Sequence, residues 1–179
     1  MDASPTISNL YGAEQFVESA GTVLFRLSTH EICILRLLNK PNEYVLPKGR
    51  RNIGESRQAA AIRETIEETG IPCYLLPVDL VSRLTPTVPK GHLPDEPRLY
   101  KGACEPIAMQ QRRLGSGGVK LIWWFVAAVS EEEPLRQHEA DLFEVEFYSY
   151  DEAVQRLTYK DNRDLVERAI ERVQAKYNC

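Results

Sequence analysis

The chain has few of the residues that hold transition metals or cross-link small folds. Cysteine occurs four times, at Cys33, Cys73, Cys104 and Cys179, and the separations match no Zn²⁺-ligand spacing. These cysteines read as reduced thiols, as in a cytoplasmic protein, because disulfides persist in oxidising compartments. The three histidines, His30, His92 and His138, share no ligand spacing either. No apolar run approaches the roughly 18 residues that a membrane-spanning helix needs, so no membrane partner is expected. Met1 to Tyr11 is polar and lacks the apolar centre of a secretory signal, which again points to the cytoplasm. Internal repeats are absent. The segment Gly115-Ser116-Gly117-Gly118-Val119-Lys120 lacks Walker A spacing and precedes a strand, so it reads as a flexible turn and not as a phosphate loop. With a formal net charge of −4, no stable nucleic-acid partner is expected.

What the chain does have is enough apolar content for one core. Its 179 residues, 43% hydrophobic, suit a single domain over 1–179 and are short for two. Val17 to Leu27 and Glu31 to Leu38 are rich in β-formers around a polar turn at Ser28 to His30, which predicts a hairpin. Tyr44-Val45-Leu46 predicts a short strand, and Leu80 to Leu84 another. A long irregular stretch follows, carrying Pro86, Pro89, Pro94, Pro97 and Pro106. Val119 to Val129 is the strongest strand. Its adjacent Trp123 and Trp124 must face opposite sides of a sheet, and core packing is expected for both. Val145 to Tyr150 alternates and leads into a short helix over Asp151 to Leu157. Asp161 is expected to cap a final helix over about 161–176, with Leu165, Val166, Ala169, Ile170 and Val173 on one face. Strands mixed with one internal helix and C-terminal helices predict an α+β fold.

The internal helix carries the chemistry. A Gly- and Asn-containing loop runs from Gly49 to Gly54, Ser56 is an apt N-cap, and Gly70 and Pro72 stop the helix. Ala59, Ile62 and Ile66 form its predicted apolar stripe. Glu64 and Glu68 are four residues apart and share a face, and Glu67 lies one position round from Glu68. The three carboxylates are expected to point away from the stripe. Like charges this close repel, and an oxygen-seeking divalent cation is the natural compensation. Three glutamates by themselves also suit a solvated acidic helix face.

The wider spacing decides between those two. Gly49, five residues, Glu55, seven residues, Arg63-Glu64, two residues, Glu67-Glu68, one residue, Gly70-Ile71 resembles the Nudix box, the signature of hydrolases that cleave a diphosphate linked to another moiety. Every fixed Gly, Glu and Arg of that pattern is present, and Thr65 stands where the family usually has an aliphatic residue. The resemblance implies a Nudix-type α/β/α sandwich with a mixed β-sheet. It implies Glu64 and Glu68 as ligands of Mg²⁺, with Mn²⁺ able to substitute, Glu67 as a further ligand or general base, and the Gly49 carbonyl as another ligand. It also implies that Arg63 pairs with a box glutamate and that Glu55 steadies the loop. Some relatives place an additional ligand or base before a late strand, where Glu139, Asp141 and Glu144 stand.

Charge outside the box points to the substrate. From Arg83 to Lys120 there are seven basic residues against three acidic ones, in a chain that is acidic as a whole. The insertion over about 85–118 is too long for an ordinary loop, and such loops are usually functional. Lys48, Arg50 and Arg51 in the box loop, with Arg112, Arg113 and Lys120 from the insertion and its exit, are the expected phosphate-binding set. A small polyanionic substrate follows. The Leu46-Pro47-Lys48-Gly49 approach resembles the diphosphoinositol polyphosphate and dinucleoside polyphosphate branch, and a basic surround suits the compact inositol pyrophosphates. Nucleotide substrates, including dinucleoside polyphosphates, nucleoside diphosphate derivatives and capped RNA, are the enzymatic alternative. A metabolite-binding module without turnover is the alternative of another class.

Overall fold

The computed structural model describes residues 8–86, 93–115, 117–136 and 142–177. The predicted hairpin forms from β1 (Phe16–Arg26) and β2 (Glu31–Leu37), in antiparallel register with Leu24 opposite Cys33. Strand β9 (Val119–Val129) runs parallel to β1 from the Phe16–Val119 pair to the Phe25–Ala128 pair, and these two strands form the centre of the sheet. The main path is β10 (Phe143–Ser149), β2, β1, β9 and β5 (Cys73–Leu75). Short strands β3 (Tyr44–Val45) and β4 (Lys48–Arg50) add to β2 and β1.

The described residues of the insertion contain two strands that its prolines did not suggest. After β6 (Val78–Ser82), β7 (Arg98–Ala103) folds back on it as a separate two-stranded sheet, and β8 (Ala108–Arg113) pairs antiparallel with β9. Strand β8 alternates partly covered Ala108, Gln110 and Arg112 with exposed Met109, Gln111 and Arg113. That period of two was present in the sequence, but polar side chains on both faces hid it.

Strand alternation builds two cores. Ala20, Leu24, Phe125 and Ala127 face α1 (Arg57–Thr69), whereas Val23, Phe25, Ile122, Trp124 and Val126 pack with α2 (Tyr150–Arg156) and α3 (Lys160–Tyr177). Helices therefore cover both sheet faces, and the architecture is an α/β/α sandwich. Trp124 is 2% exposed in the core on the α3 side. Trp123 departs from expectation: it is only partly buried on the α1 side, with the Arg57 guanidinium 3.9 Å above its ring.

Helix α1 is capped as its sequence predicted. Ser56 Oγ accepts from the Ala59 amide at 3.1 Å, and Gly70 adopts φ 71°, a left-handed conformation that glycine takes without a Cβ penalty. The buried face differs from the predicted stripe. Ala60, Ala61, Thr65, Glu68 and Thr69 are buried, Ile62 and Ile66 are partly covered, and Ala59 is exposed. The helix seats its small residues against β1, and Glu68 turns toward the sheet instead of solvent. Thr65, in place of an aliphatic residue, has a matched partner. Its hydroxyl donates to Ala61 O at 2.7 Å and shares a 2.8 Å hydrogen bond with Thr22 Oγ1. Helix α3 begins at Lys160, so Asp161 lies in its first turn, and its Oδ2 accepts from Gln110 Nε2 at 2.7 Å.

Candidate active site

Strand β4 sorts the site. Its antiparallel register with β1 sets Lys48 beside Gly21, Gly49 beside Ala20, and Arg50 beside Ser19. Because Ala20 faces α1, Gly49 does too, and Lys48 and Arg50 face the α3 side. A Cβ at Gly49 would overlap the Glu64 carboxylate, and a Cβ at Gly21 would collide with Lys48 Cβ and the Trp124 ring. Gly21 needs glycine because Pro47 O, Lys48 Cβ and the Trp124 ring leave no room for a substituent, whereas a Cβ at Gly49 would push the Glu64 carboxylate out of its place beside the backbone.

Arg63 organises the box carboxylates. Its Nε and Nη2 donate to the two oxygens of Glu55 at 2.8 and 2.9 Å, Nη1 donates to Glu64 Oε1 at 2.7 Å and to Glu67 Oε2 at 2.8 Å, and Nη2 also reaches Arg50 O at 2.9 Å. One planar fork thus fixes three carboxylates and the end of β4. Arg63 holds the Glu55 carboxyl below its ordinary value, with the Asn52 amide adding to the effect against some desolvation. Glu64 moves the other way. Burial raises its pKa, Arg63 opposes that, and the charges of Glu67 and Glu55 reinforce it. Glu68, 8% exposed, accepts the Lys48 amide at 2.8 Å through Oε2.

A second anchor had no signal in the motif. Glu18 on β1 accepts from Arg51 Nε at 2.9 Å, Arg57 Nη2 at 2.7 Å and Trp123 Nε1 at 3.0 Å. Its side chain is 12% exposed. Burial pushes its pKa up, but the bonds from Arg57, Trp123 and Arg51 and the Arg57 charge outweigh that and leave it lowered. Arg51, expected among the phosphate-binding cations, is therefore engaged on the α1 side, and it also donates to Glu55 O at 2.8 Å.

The expected cations divide by face. Lys120 and Arg112 are register partners on β9 and β8 and lie on the Trp124 side with Lys48 and Arg50. Burial lowers the Lys120 pKa, the like charges of Lys48, Arg112 and Arg50 lower it further, and Glu68 opposes them. Arg112 Nη2 is steadied by Gln110 Oε1 at 3.1 Å, and Gln110 is in turn tied to Asp161. Arg113 is exposed on the opposite side of β8. Of the other insertion cations, Arg83 pairs with Asp95 at 3.0 Å, Arg98 pairs with Glu96 at 2.9 Å, and Lys90 lies outside the described residues. So do Glu139 and Asp141. Glu144 pairs with Arg36, which also binds Glu146 at 3.0 Å, on the strand beyond β2 from the box.

Glu64 and Glu68 offer donors of the chemistry that a divalent cation takes. Among the described residues no three His, Cys, Asp or Glu side chains converge into a ready ligand set, because Arg63 gathers Glu55, Glu64 and Glu67 around itself. Glu64 and Glu68, however, flank the Lys48-Gly49 backbone, and burial raises the Glu64 pKa despite its ion pair with Arg63. Carboxylate and carbonyl oxygens are the donors that Mg²⁺ or Mn²⁺ take. On the α3 side a cleft of about 370 Å³ opens between β8 and α3, lined in part by Gln110, Trp124, Asp161, Leu165 and Arg168.

The profile of the NUDIX domain matches residues 16–169. No matching relative was found among the curated proteins. Similar solved structures include a NUDIX hydrolase from Nitrosomonas europaea, at 15% identity and TM-score 0.58, covering 87% of this chain and 88% of that one. A C. elegans Ap4A hydrolase binary complex is 20% identical at TM-score 0.60, covering 87% and 96%. The E. coli dihydroneopterin triphosphate pyrophosphohydrolase is 13% identical at TM-score 0.55, covering 86% and 95%. At these identities the likeness is one of fold.

Proposed function

This chain belongs to the Nudix family and is a hydrolase of pyrophosphate bonds, and we propose that its substrate is a compact, highly phosphorylated molecule, an inositol pyrophosphate before a nucleotide. The observation that carries this reading is the group of Lys48, Arg50, Arg112 and Lys120 on one sheet face beside the box carboxylates. Four cations outnumber what a single diphosphate needs.

Glu64, Glu68 and the Gly49 carbonyl would hold Mg²⁺, or Mn²⁺ in its place; when bound, the ion offsets diphosphate charge and lowers the pKa of water. Arg63 keeps Glu55, Glu64 and Glu67 in one arrangement before substrate arrives, so little reorganisation is needed. Glu67, whose side chain is 50% exposed, is open to take the proton of an attacking water. Lys48 and Arg50 project from the other face of the same strand, where they would hold phosphates beyond the bond to be cleaved and so fix the substrate's orientation.

A second reading is a dinucleoside polyphosphate. The cleft between β8 and α3 supports it by offering the Trp124 side of the sheet to a group beyond the phosphates. A binding module without turnover is the weaker reading, since it gives no chemical reason for the full set Glu55, Glu64, Glu67 and Glu68. The test is a substrate panel with Mg²⁺, reading released phosphate and nucleotide. Turnover of inositol pyrophosphates above dinucleoside polyphosphates is expected, the reverse order selects the second reading, and no turnover of either selects the binding module.

A further inference from the structure

Ser19 presents a buried polar atom with no partner. The residue is 1% exposed, and its Oγ has no hydrogen bond among the described residues. Buried hydroxyls are normally satisfied, so an orphan calls for an explanation. Strand alternation supplies its direction. Ala20, Thr22 and Leu24 face α1, so Ser19 faces the other way, in register between Arg50 on β4 and Ile122 on β9. That is the face of Lys48, Arg50, Arg112 and Lys120. Arg50, the register neighbour on the β4 side, is exposed.

We propose that Ser19 Oγ, Lys48, Arg50, Arg112 and Lys120 form a phosphate cradle on the α3-side face of the sheet, which binds a phosphate other than the one cleaved. Strand β4 separates the two functions: Gly49 turns to the carboxylates, and Lys48 and Arg50 turn to the cradle. The serine donates the hydrogen bond that its surroundings leave unused, and a phosphate oxygen is the acceptor that four cations on one face select. Asp161 fixes the Gln110 amide, and Gln110 Oε1 holds Arg112 toward the site, so the C-terminal helix is a positioning element for the cradle. This inference rests on the polyphosphate reading above for its physiological ligand, but the cradle needs no metal.

The test uses inorganic tripolyphosphate titrated calorimetrically into the full chain in EDTA. Wild type is expected to bind. Ser19→Ala should bind about tenfold more weakly, the scale of one hydrogen bond to a charged group, while its Tm stays level or rises because an unsatisfied hydroxyl is gone. Lys120→Met should weaken binding at least as much, and Lys101→Gln, which removes one charge from exposed β7, should not. If Ser19→Ala lowers the yield of folded protein, the contrast between Lys120→Met and Lys101→Gln decides in its place. Equal binding by wild type, Ser19→Ala and Lys120→Met overturns the cradle, as does an equal loss in Lys101→Gln. Binding with this pattern in a protein that hydrolyses nothing supports the cradle and removes the hydrolase reading; hydrolysis with no such pattern does the opposite.

Discussion

The two faces of the β4–β1 corner handle charge in opposite ways. Toward α1, acids and bases are matched within the protein: Arg63 among Glu55, Glu64 and Glu67, and Glu18 between Arg51 and Arg57. Toward α3, Lys48, Arg50 and Arg112 all bear on Lys120, with Glu68 opposing them. Matched charge makes a rigid frame, which is what a site that must hold reacting groups needs. Excess charge of one sign makes a receptor, because only an incoming anion relieves it. Residues three positions apart in sequence serve both purposes, since a strand turns successive side chains to opposite faces.

The comparison breaks most sharply at the carboxylates. Changing Glu64 or Glu68 to Gln should cut turnover by roughly 10²-fold or more with Mg²⁺, through loss of a ligand and its charge together. Circular dichroism should show the fold intact, and near wild-type rates in both variants would remove the assignment. Chelation should likewise abolish turnover without unfolding, and a thiol-directed reagent should not, because the proposed donors are all oxygens.

Emptying the other face should act on affinity. Arg112→Gln with Lys120→Met should raise KM about tenfold or more for an inositol pyrophosphate or dinucleoside polyphosphate and much less for a small diphosphate ester, leaving kcat near wild type. Added salt should narrow the gap between the two substrates by screening the exposed charges. Equal KM changes on both substrates would erase the distinction between the faces.

Smaller effects test the frame itself. Glu18→Gln should lower stability by about 2 kcal/mol near neutral pH, since Arg51 and Arg57 lose the carboxylate charge and one of its two acceptor oxygens becomes a donor. The Glu18 pKa is lowered in the fold, so its contribution is full above the ordinary glutamate range and disappears as pH falls through the lower native value. Thermal melts across that acid range should therefore show wild type and Glu18→Gln converging. The smallest effect is expected at Thr65→Val, about 1 kcal/mol, from leaving the Thr22 hydroxyl without its acceptor. Adding Thr22→Val should recover part of that loss in the melting temperature.

Reading the chain by residue pattern reached the box helix, its Ser56 cap, its Gly70 stop and most strands, because those depend on local periodicity and on backbone freedom at single positions. It missed β7 and β8, whose alternation carries no apolar face, and it turned Glu68 away from the apolar stripe because helix spacing alone does not say how close the sheet lies. Ser19 and Glu18 left no motif. Their only signal was their place on alternate sides of a predicted strand, and that acquires meaning once the neighbouring strands are known.

By itself, the sequence determined the family, the set of box carboxylates and the excess of cations in the insertion, since each is written in fixed spacing or in composition. The tertiary structure alone decided which cations stand together. Arg51 and Arg113 went to one side, and Lys48, Arg50, Arg112 and Lys120 to the other, because sheet register through β1 joins β4 to the distant β8–β9 pair and the strand pleat gives each residue a face.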